Sequence, residues 1–404
     1  MSEWKSVKLG ELCEFINGGA WSDKEYVPYG IPVLKVTNCK NDGFTLDSLS
    51  YLPESSREKY SKNRLYLHDV IIATVGSHPN LINSAAGRSS IVNSFVEGFY
   101  LNQNAVCIRT KDENILNQLY FGYYSKYYLF QNFIQMRGKG AANQMRIAIG
   151  AIKDYPMPLP PIDVQRNVAE ILSRYDSLIE NYQRQIKLLE EAAQRLYKEW
   201  FVDLHFPGHE NTPIIDGIPQ GWEKKKLSEM ADIIMGQSPK SEYYNKEHQG
   251  LPFHQGVGSY GSRFVIDDVY STSLTRVAKP NSVLFSVRAP VGRLNITKNK
   301  IVIGRGIAAI NHNQGYQCYL FYLLKERFFK DNIIGNGAIF ASISKDELHN
   351  LSFLTPSEHL IKRFDDIASN YDRRILFIDN QIRNLSEARD RLLPKLMSGE
   401  IEVS

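Results

Sequence analysis

The amino-acid sequence repeats itself at a distance of 196 residues. Aligned at that distance, eight apolar or aromatic residues of the first copy fall on apolar or aromatic residues of the second: Val164/Leu360, Val168/Phe364, Ile171/Ile367, Tyr175/Tyr371, Ile179/Ile375, Ile186/Ile382, Leu189/Leu385 and Leu196/Leu392. Three polar residues, Asp176, Gln185 and Glu191, fall on identical partners. Upstream, "GKGA" (138–141) resembles "GNGA" (335–338), and "WKSVKLGEL" at residue 4 resembles "WEKKKLSEM" at residue 222. The chain is therefore two copies of one unit, each a globular part followed by a helix.

Apolar spacing predicts a long helix at the end of each copy. From Val164 to Trp200, apolar residues advance by fours and threes, which is typical of a coiled-coil seam. Two successive steps of four, from Leu178 through Tyr182 to Ile186, predict a stutter. We expect the two helices to pair within the chain, antiparallel, with the globular parts at opposite ends; dimerisation between chains is the alternative. The predicted seam residues are Val168, Ile171, Tyr175, Ile186, Leu189, Phe364, Ile367, Tyr371, Ile382 and Leu385.

The globular parts are predicted to be mixed α/β. Short β-rich runs occur at "GIPVLKV" (30–36), "DVIIATV" (69–75), "SVLFSV" (282–287) and "KIVIG" (300–304). The aromatic segment "LYFGYYSKYYLFQNF" (119–133) has helical spacing, so a core role is favoured over base stacking. We therefore expect an α/β (α+β) protein with globular domains at 1–159 and 207–355, and helices at 160–206 and 356–404.

Composition excludes several classes of protein. The 404 residues are 43% hydrophobic and 23% charged, as in folded proteins of about two domains. The first residues lack the apolar core of a signal peptide, and no apolar run is long enough to span a bilayer, so we expect a cytoplasmic protein. Four scattered cysteines predict buried thiols, not a disulfide framework or a zinc site.

Charge is distributed unevenly along the chain. Residues 114–153 and 269–325 contain no Asp or Glu but several Lys and Arg, whereas the two helical segments are slightly acidic. Such segregation indicates globular parts that face phosphate, although a chance surplus of solvated cations is the alternative.

No motif indicates catalysis by this chain. "GVGSYG" (256–261) is followed by a strand-like run and not by a helix that could hold pyrophosphate. Phosphate-loop, zinc-protease, hydrolase-elbow and amino-methyltransferase motifs do not occur, and the nine histidines are dispersed.

Over its whole length the chain resembles the specificity (S) subunits of Type I restriction-modification systems. The resemblance rests on "PLPPIDVQRNVAEILSRYDSLIENYQRQIKLLEEAAQRLYKEWF", "LLPKLMSGEIEV", "GQSPKSEYYN", "SVRAPVG" and "IGRGIAAI". It implies that each globular domain recognises half of a split target in double-stranded DNA and that the helices set the spacer. It also implies two methyltransferase (M) subunits docked on the helices and restriction translocase (R) subunits joining later. This chain would carry no catalysis or cofactor, and S-adenosylmethionine would belong to the methyltransferase.

Candidate contact residues follow from charge and from turn-forming neighbours. The predicted DNA-binding residues are Arg88, Asn104, Arg137, Lys139, Asn143, Arg146, Arg263, Arg276, Arg288, Arg293 and Arg305. The alternative is that some of them cap turns or bind buried carbonyls. For the methyltransferase contact we predict Tyr197, Trp200 and Phe201, with packing of Trp200 beneath its own domain as the alternative. A free-standing DNA-binding protein, a coiled-coil adaptor and a hidden nuclease are the other functional hypotheses.

Overall fold

The structure, a computed structural model, describes residues 4–40, 43–46, 49–77, 85–141, 144–328 and 342–403. The chain packs as two compact units. Unit 1 comprises Met1–Tyr182 and Asn380–Ser404, and unit 2 comprises Gln183–Asp379. Each unit therefore contains one globular part and a portion of both long helices.

Unit 1 contains short strands and helices followed by the first long helix. Its strands are β1 (Lys5–Lys8), β2 (Cys13–Asn17), β3 (Ile31–Leu34), β4 (Cys39–Lys40), β5 (Gly43–Phe44), β6 (Ser50–Leu52), β7 (Val70–Ala73), β8 (Val75–Gly76), β9 (Ser89–Ile91), β10 (Tyr100–Leu101), β11 (Ala105–Thr110), β12 (Lys139–Ala141), β13 (Gln144–Arg146) and β14 (Pro156–Leu159). Its helices are α1 (Leu9–Leu12), α2 (Gln118–Tyr124), α3 (Tyr128–Gln135), α4 (Ile149–Lys153) and the start of α5 (Ile162–Phe201). Short 3₁₀ turns occur at Asp23–Glu25, Val36–Asn38, Glu54–Ser56 and Ser61–Asn63.

Unit 2 also contains short strands and helices, followed by the second long helix. Its strands are β15 (Ile214–Ile215), β16 (Ile218–Pro219), β17 (Glu223–Lys226), β18 (Ala231–Met235), β19 (Tyr244–Asn245), β20 (Leu251–His254), β21 (Tyr270–Ser271), β22 (Val277–Ala278), β23 (Val283–Ser286), β24 (Leu294–Ile296), β25 (Ile301–Ile303), β26 (Ile307–His312) and β27 (Ser352–Thr355). Its helices are the end of α5, α6 (Leu227–Met230), α7 (Gln317–Phe328), α8 (Lys345–His349) and most of α9 (Glu358–Met397). Its 3₁₀ turns are His209–Asn211, Ser241–Tyr243 and Val257–Ser259.

The predicted repeat is confirmed by the sheets. The four-stranded sheet β2-β11-β7-β9 of unit 1 has its counterpart in β18-β26-β23-β24 of unit 2. The parallel pair β3·β10 likewise has a counterpart in β20·β25. The β-rich runs identified in the sequence form β3, β7, β23 and β25. The aromatic segment forms α2, which is largely buried, and α3, which buries Phe130 but exposes Tyr128 and Leu129. The second "GNGA" segment lies outside the described residues.

The long helices are also confirmed, and they pair within the chain. Each is 40 residues long, and their starts are 196 residues apart. In unit 1, Val168 and Leu172 of α5 share a hydrophobic core with Leu396 and Met397 of α9, so the start of one helix packs against the end of the other. In unit 2, the end of α5 packs against the start of α9 through Tyr197 and Phe364, whose ring centroids are 5.6 Å apart. Within each unit the helices are antiparallel.

The predicted stutter is wrong. Leu178 is 40% exposed, whereas its neighbour Ile179 is only 6% exposed. The buried positions of α5 recur every seven residues without interruption, at Leu172, Ile179, Ile186, Ala193 and Trp200. Of the ten predicted seam residues, Val168, Ile186 and Phe364 are buried, and the other seven are half-buried.

Candidate nucleic-acid interface

In unit 1, three chain segments meet at Thr74, between β7 and β8. The Thr74 amide donates to the carbonyl of Asn104 at 2.8 Å, which joins the loop between β10 and β11 to this point. The Thr74 carbonyl accepts from the amide of Ile147 at 2.8 Å, which joins the end of β13. A strand end, a loop and a hairpin strand therefore form one edge of the unit, which we call rim 1 and define by Val75, Gln103, Asn104, Lys139 and Arg146.

Unit 2 builds the same junction at Val287. The Val287 amide donates to Gly306, and the Val287 carbonyl accepts from Ile343, both at 2.9 Å. We call this edge rim 2 and define it by Gln255, Arg288, Arg305 and Ser342.

Neighbouring hydrogen bonds fix which residues of the two units correspond. The amide of Ala73 donates to the Arg88 carbonyl at 3.0 Å, and that of Ser286 donates to the Arg293 carbonyl at 2.9 Å. Arg88 and Arg293 therefore occupy equivalent positions. Counting onward from these bonds, Val75 corresponds to Arg288.

Rim 1 carries a row of residues across three strands. Arg146 on β13 lies directly opposite Val75 on one side and Lys139 on the other. Directly opposite residues of antiparallel strands project to the same face, with Cβ atoms about 5 Å apart. Lys139 and Arg146 are both exposed, and the described residues offer neither of them a salt bridge. Two cations in this arrangement repel each other, and a polyanion would relieve that repulsion.

In rim 2 the arginine of the cross-strand pair, Arg288, lies on the strand that corresponds to the strand of Val75, not on the one that corresponds to β13. Arg288 lies directly opposite Ser342 in an antiparallel bridge. Because Ser342 corresponds to Arg146 and Arg288 corresponds to Val75, the same cross-strand pair contains one arginine in each unit, contributed by opposite strands. Arg288 and Ser342 are both exposed.

A similar exchange occurs in the loops beside the parallel strand pairs. Lys35 directly follows β3 in unit 1, and Gln255 directly follows the equivalent strand β20 in unit 2. Two residues after β10 lies Gln103, and two residues after the equivalent strand β25 lies Arg305. The cation and the glutamine have therefore changed places between the units. The side-chain oxygen Oε1 of Gln255 accepts from Ser238 Oγ at 2.8 Å, which directs its amide donors elsewhere. Lys35 is less available, since its Nζ donates to Ser50 Oγ at 2.8 Å.

Buried polar contacts hold rim 2 in place. The ring of His254, which precedes Gln255, is buried with Nδ1 2.8 Å from Ser259 Oγ and Nε2 3.0 Å from Asp267 Oδ1. The amide of Gly304 donates to the His254 carbonyl at 2.8 Å. These contacts connect the ends of β20 and β25, so they fix the backbone that presents Gln255 and Arg305.

The structure places the predicted DNA-binding residues in different environments. Asn104, Lys139 and Arg146 lie on rim 1, and Arg288 and Arg305 lie on rim 2. Arg137 is exposed just before β12, with its guanidinium 3.5 Å from the Phe133 ring centroid. Arg276 is exposed just before β22. Asn143 lies outside the described residues.

The equivalent arginines, Arg88 and Arg293, are half-buried. Arg88 Nη1 donates to the Cys39 carbonyl at 2.6 Å. Its side chain also lines a cavity of about 300 Å³ together with Lys126, Arg389 and Asp390. The alternative of binding a carbonyl is therefore realised for Arg88.

Arg263 has a structural environment that does not suit DNA contact. It is 2% exposed, and its guanidinium binds Asp372 of α9, lies 3.6 Å from Glu190 of α5 and packs over the Phe321 ring. These carboxylates raise its pKa above the usual value although burial opposes the shift. The prediction for Arg263 needs correction, because its charge is already neutralised inside unit 2.

Two of the predicted methyltransferase contacts are also buried. Tyr197 and Trp200 pack around Phe364, with ring centroids 5.6 and 6.1 Å from it, and Phe201 packs 5.4 Å from Tyr319. Tyr197 and Trp200 are core residues, as the alternative interpretation of Trp200 required, and only Phe201 remains half-buried. Among the described residues, the large apolar side chains that the long helices expose are Leu178, Leu188, Val202 beside the end of α5, and Phe377.

The sequence alone did not identify Val75, Gln103, Gln255 and Ser342 as candidate interface residues. Arg146 and Ser342 are 196 residues apart, but Val75 and Arg288 are 213 apart, because the loops between the strands differ in length. A single alignment shift therefore cannot identify both pairs. The hydrogen bonds at Thr74 and Val287 reveal the correspondence.

The described residues contain no group of His, Cys, Asp and Glu side chains that could hold a metal ion. All four cysteines are buried as free thiols, and burial raises the pKa of Cys13 to about 12, so this thiol is a poor nucleophile. Within the described part of the chain, no helix has the length and apolar character needed to cross a bilayer.

Comparison with known proteins agrees with this architecture. A putative type I restriction enzyme MjaX specificity subunit from Methanocaldococcus jannaschii is 28% identical, over 99% of this chain and 94% of that protein. The type I restriction enzyme HindI specificity subunit of Haemophilus influenzae is 20% identical, over 99% of this chain and 100% of that protein. Among solved structures, the S subunit of a type I restriction-modification system from M. genitalium matches in fold with a TM-score of 0.54 at 17% identity, over 99% of this chain and 97% of that one.

The family model for the type I restriction modification DNA specificity domain matches this sequence twice, at residues 1–191 and 219–385. Each match contains one globular part and the greater part of the long helix that follows it. Since the matches cover most of the sequence, the chain belongs to the family of type I restriction-modification DNA specificity proteins.

Proposed function

We propose that this chain is the DNA specificity subunit of a Type I restriction-modification complex. In this proposal each globular part binds one half of a bipartite target in double-stranded DNA, rim 1 in one half and rim 2 in the other. The two long helices set the number of unread base pairs between the halves. The placement of the globular parts at opposite ends of the helices belongs to this proposal.

The observation that supports DNA binding most directly is the cationic row on rim 1. Lys139 and Arg146 face each other across an antiparallel pair without a carboxylate partner among the described residues. Such a pair is unfavourable in the free protein, and binding a phosphate backbone reverses the sign of its contribution. A ribbon of two strands also fits the major groove, where base edges are accessible.

The proposed division of labour gives residues 1–159 and 207–355 to recognition, and residues 160–206 and 356–404 to spacing and docking. We assign no catalysis or cofactor to this chain. Two methyltransferase subunits, which would supply S-adenosylmethionine chemistry, and restriction translocase subunits are the proposed partners, in the cytoplasm where the DNA is. Since Tyr197 and Trp200 are buried, we propose Leu188 and Phe377 with Phe201 as the apolar part of the methyltransferase contact.

Methylome sequencing tests the proposal. Cells would express the chain with its neighbouring methyltransferase gene, and Arg146→Ala and Arg288→Ala would be compared with the natural chain. We expect a bipartite motif with adenine methylation, and weaker discrimination in one half for each variant. Arg391→Ala, which removes an exposed arginine from α9, is the matched control and should leave the motif unchanged.

Each alternative has its own outcome. An active methyltransferase that binds this chain but methylates no bipartite motif would favour the coiled-coil adaptor. Absence of any bound methyltransferase, combined with salt-dependent binding to duplex DNA, would favour a free-standing DNA-binding protein. Magnesium-dependent cleavage of DNA by the purified chain would indicate a nuclease.

A further inference from the structure

We infer that the cross-strand pair on each rim is one guanine-reading position, filled by Arg146 in unit 1 and by Arg288 in unit 2. The inference rests on the proposed function and deepens it, because it assigns the same task to two residues that lie on different strands. It also predicts that each half-site contains a guanine at the base pair that this position contacts.

The geometry makes the two arginines interchangeable. Arg146 pairs with Val75 and Arg288 pairs with Ser342, and these pairs occupy corresponding places beside Thr74 and Val287. Because Cβ atoms of directly opposite residues are only about 5 Å apart, an arginine on either strand reaches the same region above the pair. The other member of the cross-strand pair, Val75 in unit 1 and Ser342 in unit 2, is apolar or small, so it neither repels the guanidinium nor neutralises it.

The chemistry favours a base over a phosphate. The guanidinium presents a planar fork of donors that matches the O6 and N7 acceptors of guanine, whereas a lysine acts as a point charge. Rim 1 contains both kinds of cation, with Lys139 directly opposite Arg146. We therefore assign the phosphate backbone to Lys139 and the base edge to Arg146. Arginine is the residue that both units retain at the cross-strand pair.

The experiment moves the arginine from one strand to the other. Three variants of unit 2, Arg288→Val, Arg288→Lys and the double variant Arg288→Val with Ser342→Arg, would be expressed with the methyltransferase, and their methylated motifs determined by sequencing. Arg288→Val should lose about tenfold or more in discrimination at one guanine of one half-site. The double variant should restore the preference for guanine at that same position.

The lysine variant separates base reading from phosphate binding. If Arg288 only binds phosphate, Arg288→Val should lower methylation without changing the preference at any single base pair, and Arg288→Lys should recover the lost methylation; that result would overturn the inference. If it reads guanine, Arg288→Lys should lose most of the discrimination although the positive charge remains. The reciprocal exchange in unit 1, Arg146→Ser with Val75→Arg, should give the corresponding result in the other half-site.

Two further outcomes are distinguishable. If the natural chain supports no bipartite methylation, the proposed function fails; if its motif is normal but Arg288→Val changes no position, this inference alone fails.

If Arg288→Val abolishes methylation, the affinity of the purified complex for DNA would be measured instead. The duplexes would be the natural motif and its single-position variants, in which one base pair at a time is replaced by each of the other three. Equal loss of affinity for all of them would contradict guanine reading. An unchanged unfolding midpoint and retention of the methyltransferase exclude a folding defect.

Discussion

Arg263, in the globular part of unit 2, binds Asp372 of α9 in the interior of that unit. Asp372 is the repeat counterpart of Asp176, which in unit 1 accepts from Arg389 Nη1 at 2.6 Å and from the Tyr123 hydroxyl at 2.7 Å. The same aspartate is therefore neutralised in both units, by an arginine of the globular part in one and by an arginine of the partner helix in the other. Each contact fastens α5 or α9 to the rest of its unit.

Removing Arg263 should destabilise unit 2 strongly. Arg263→Ala leaves Asp372 and Glu190 as carboxylates without their cation in a largely dry environment, and breaking such a buried pair costs about 3 kcal/mol or more. Urea unfolding of the full chain measures the change. Arg276→Ala, at an exposed position of the same unit, should change the free energy of unfolding by less than about 0.5 kcal/mol. Equal stability of the two variants would contradict a fastening role for Arg263.

The sequence was sufficient to predict the repeat, the helices and the α/β class, because these depend on apolar spacing and on an offset that stays constant from β14 through α5. It was not sufficient to choose between Leu178 and Ile179, since both are apolar and only packing decides which one is buried.

Nor could the sequence predict which arginines are buried in ion pairs and which are exposed. Arg263 and Arg288 are both arginines of the second globular part, but Glu190 lies 73 residues before Arg263 and Asp372 lies 109 residues after it, so the ion pairs form only in the folded protein. The equivalence of Arg146 and Arg288 was hidden for a related reason, because loops of unequal length separate the strands that present them.

Replacing Lys139 should stabilise the free protein and weaken DNA binding. Lys139→Ser removes one of two like charges that lie directly opposite each other, a change of about 0.5 kcal/mol in favour of the folded state. It also removes one phosphate contact, so the salt dependence of binding to duplex DNA should become shallower by about one counterion. Unfolding measurements and titrations at several salt concentrations test the two parts. Lys187→Ser, at an exposed position of α5, is the control. Loss of stability in Lys139→Ser would show that the two cations are not in repulsive contact.

The stability of unit 2 should depend on pH through the half-buried Asp365 and the buried His312, whose effects oppose each other. Burial raises the pKa of Asp365 to about 6, so the folded protein retains a proton that the unfolded chain releases between about pH 4 and 6, and stability falls as the pH rises through that range. Burial lowers the pKa of His312 to about 4, so the unfolded chain retains a proton that the folded protein releases, and stability rises between about pH 4 and 6.5.

Asp365→Asn should expose the contribution of His312. Asparagine keeps the oxygen that accepts from the Tyr319 amide at 2.9 Å, but it removes the carboxyl proton. The free energy of unfolding of Asp365→Asn relative to the natural chain should therefore increase by about 2 kcal/mol between pH 4 and 7. Thermal unfolding across this pH range tests the change. Asp216→Asn, at an exposed position between β15 and β16 of the same unit, should follow the natural chain, and parallel profiles for all three proteins would rule out the raised pKa of Asp365.

Shortening both long helices by one heptad should shorten the spacer of the DNA target. Deleting residues 180–186 from α5 and 376–382 from α9 removes equivalent segments of the repeat, or about 10 Å of helix at 1.5 Å per residue. At 3.4 Å per base pair this corresponds to about three base pairs. Methylome sequencing of cells that carry the shortened chain should reveal unchanged half-sites with a shorter gap between them.

The buried pattern of α5 explains why the deletion must be seven residues long. After removal of a heptad, Ala193 follows Ile179 in the buried series, and the helix pair keeps an apolar seam. Removal of residues 180–183 alone would place Glu190 in the position of Ile186, so this four-residue deletion should destabilise the chain instead of giving a new spacer. If the heptad deletion yields an active complex with the natural gap, the helices do not set the spacer.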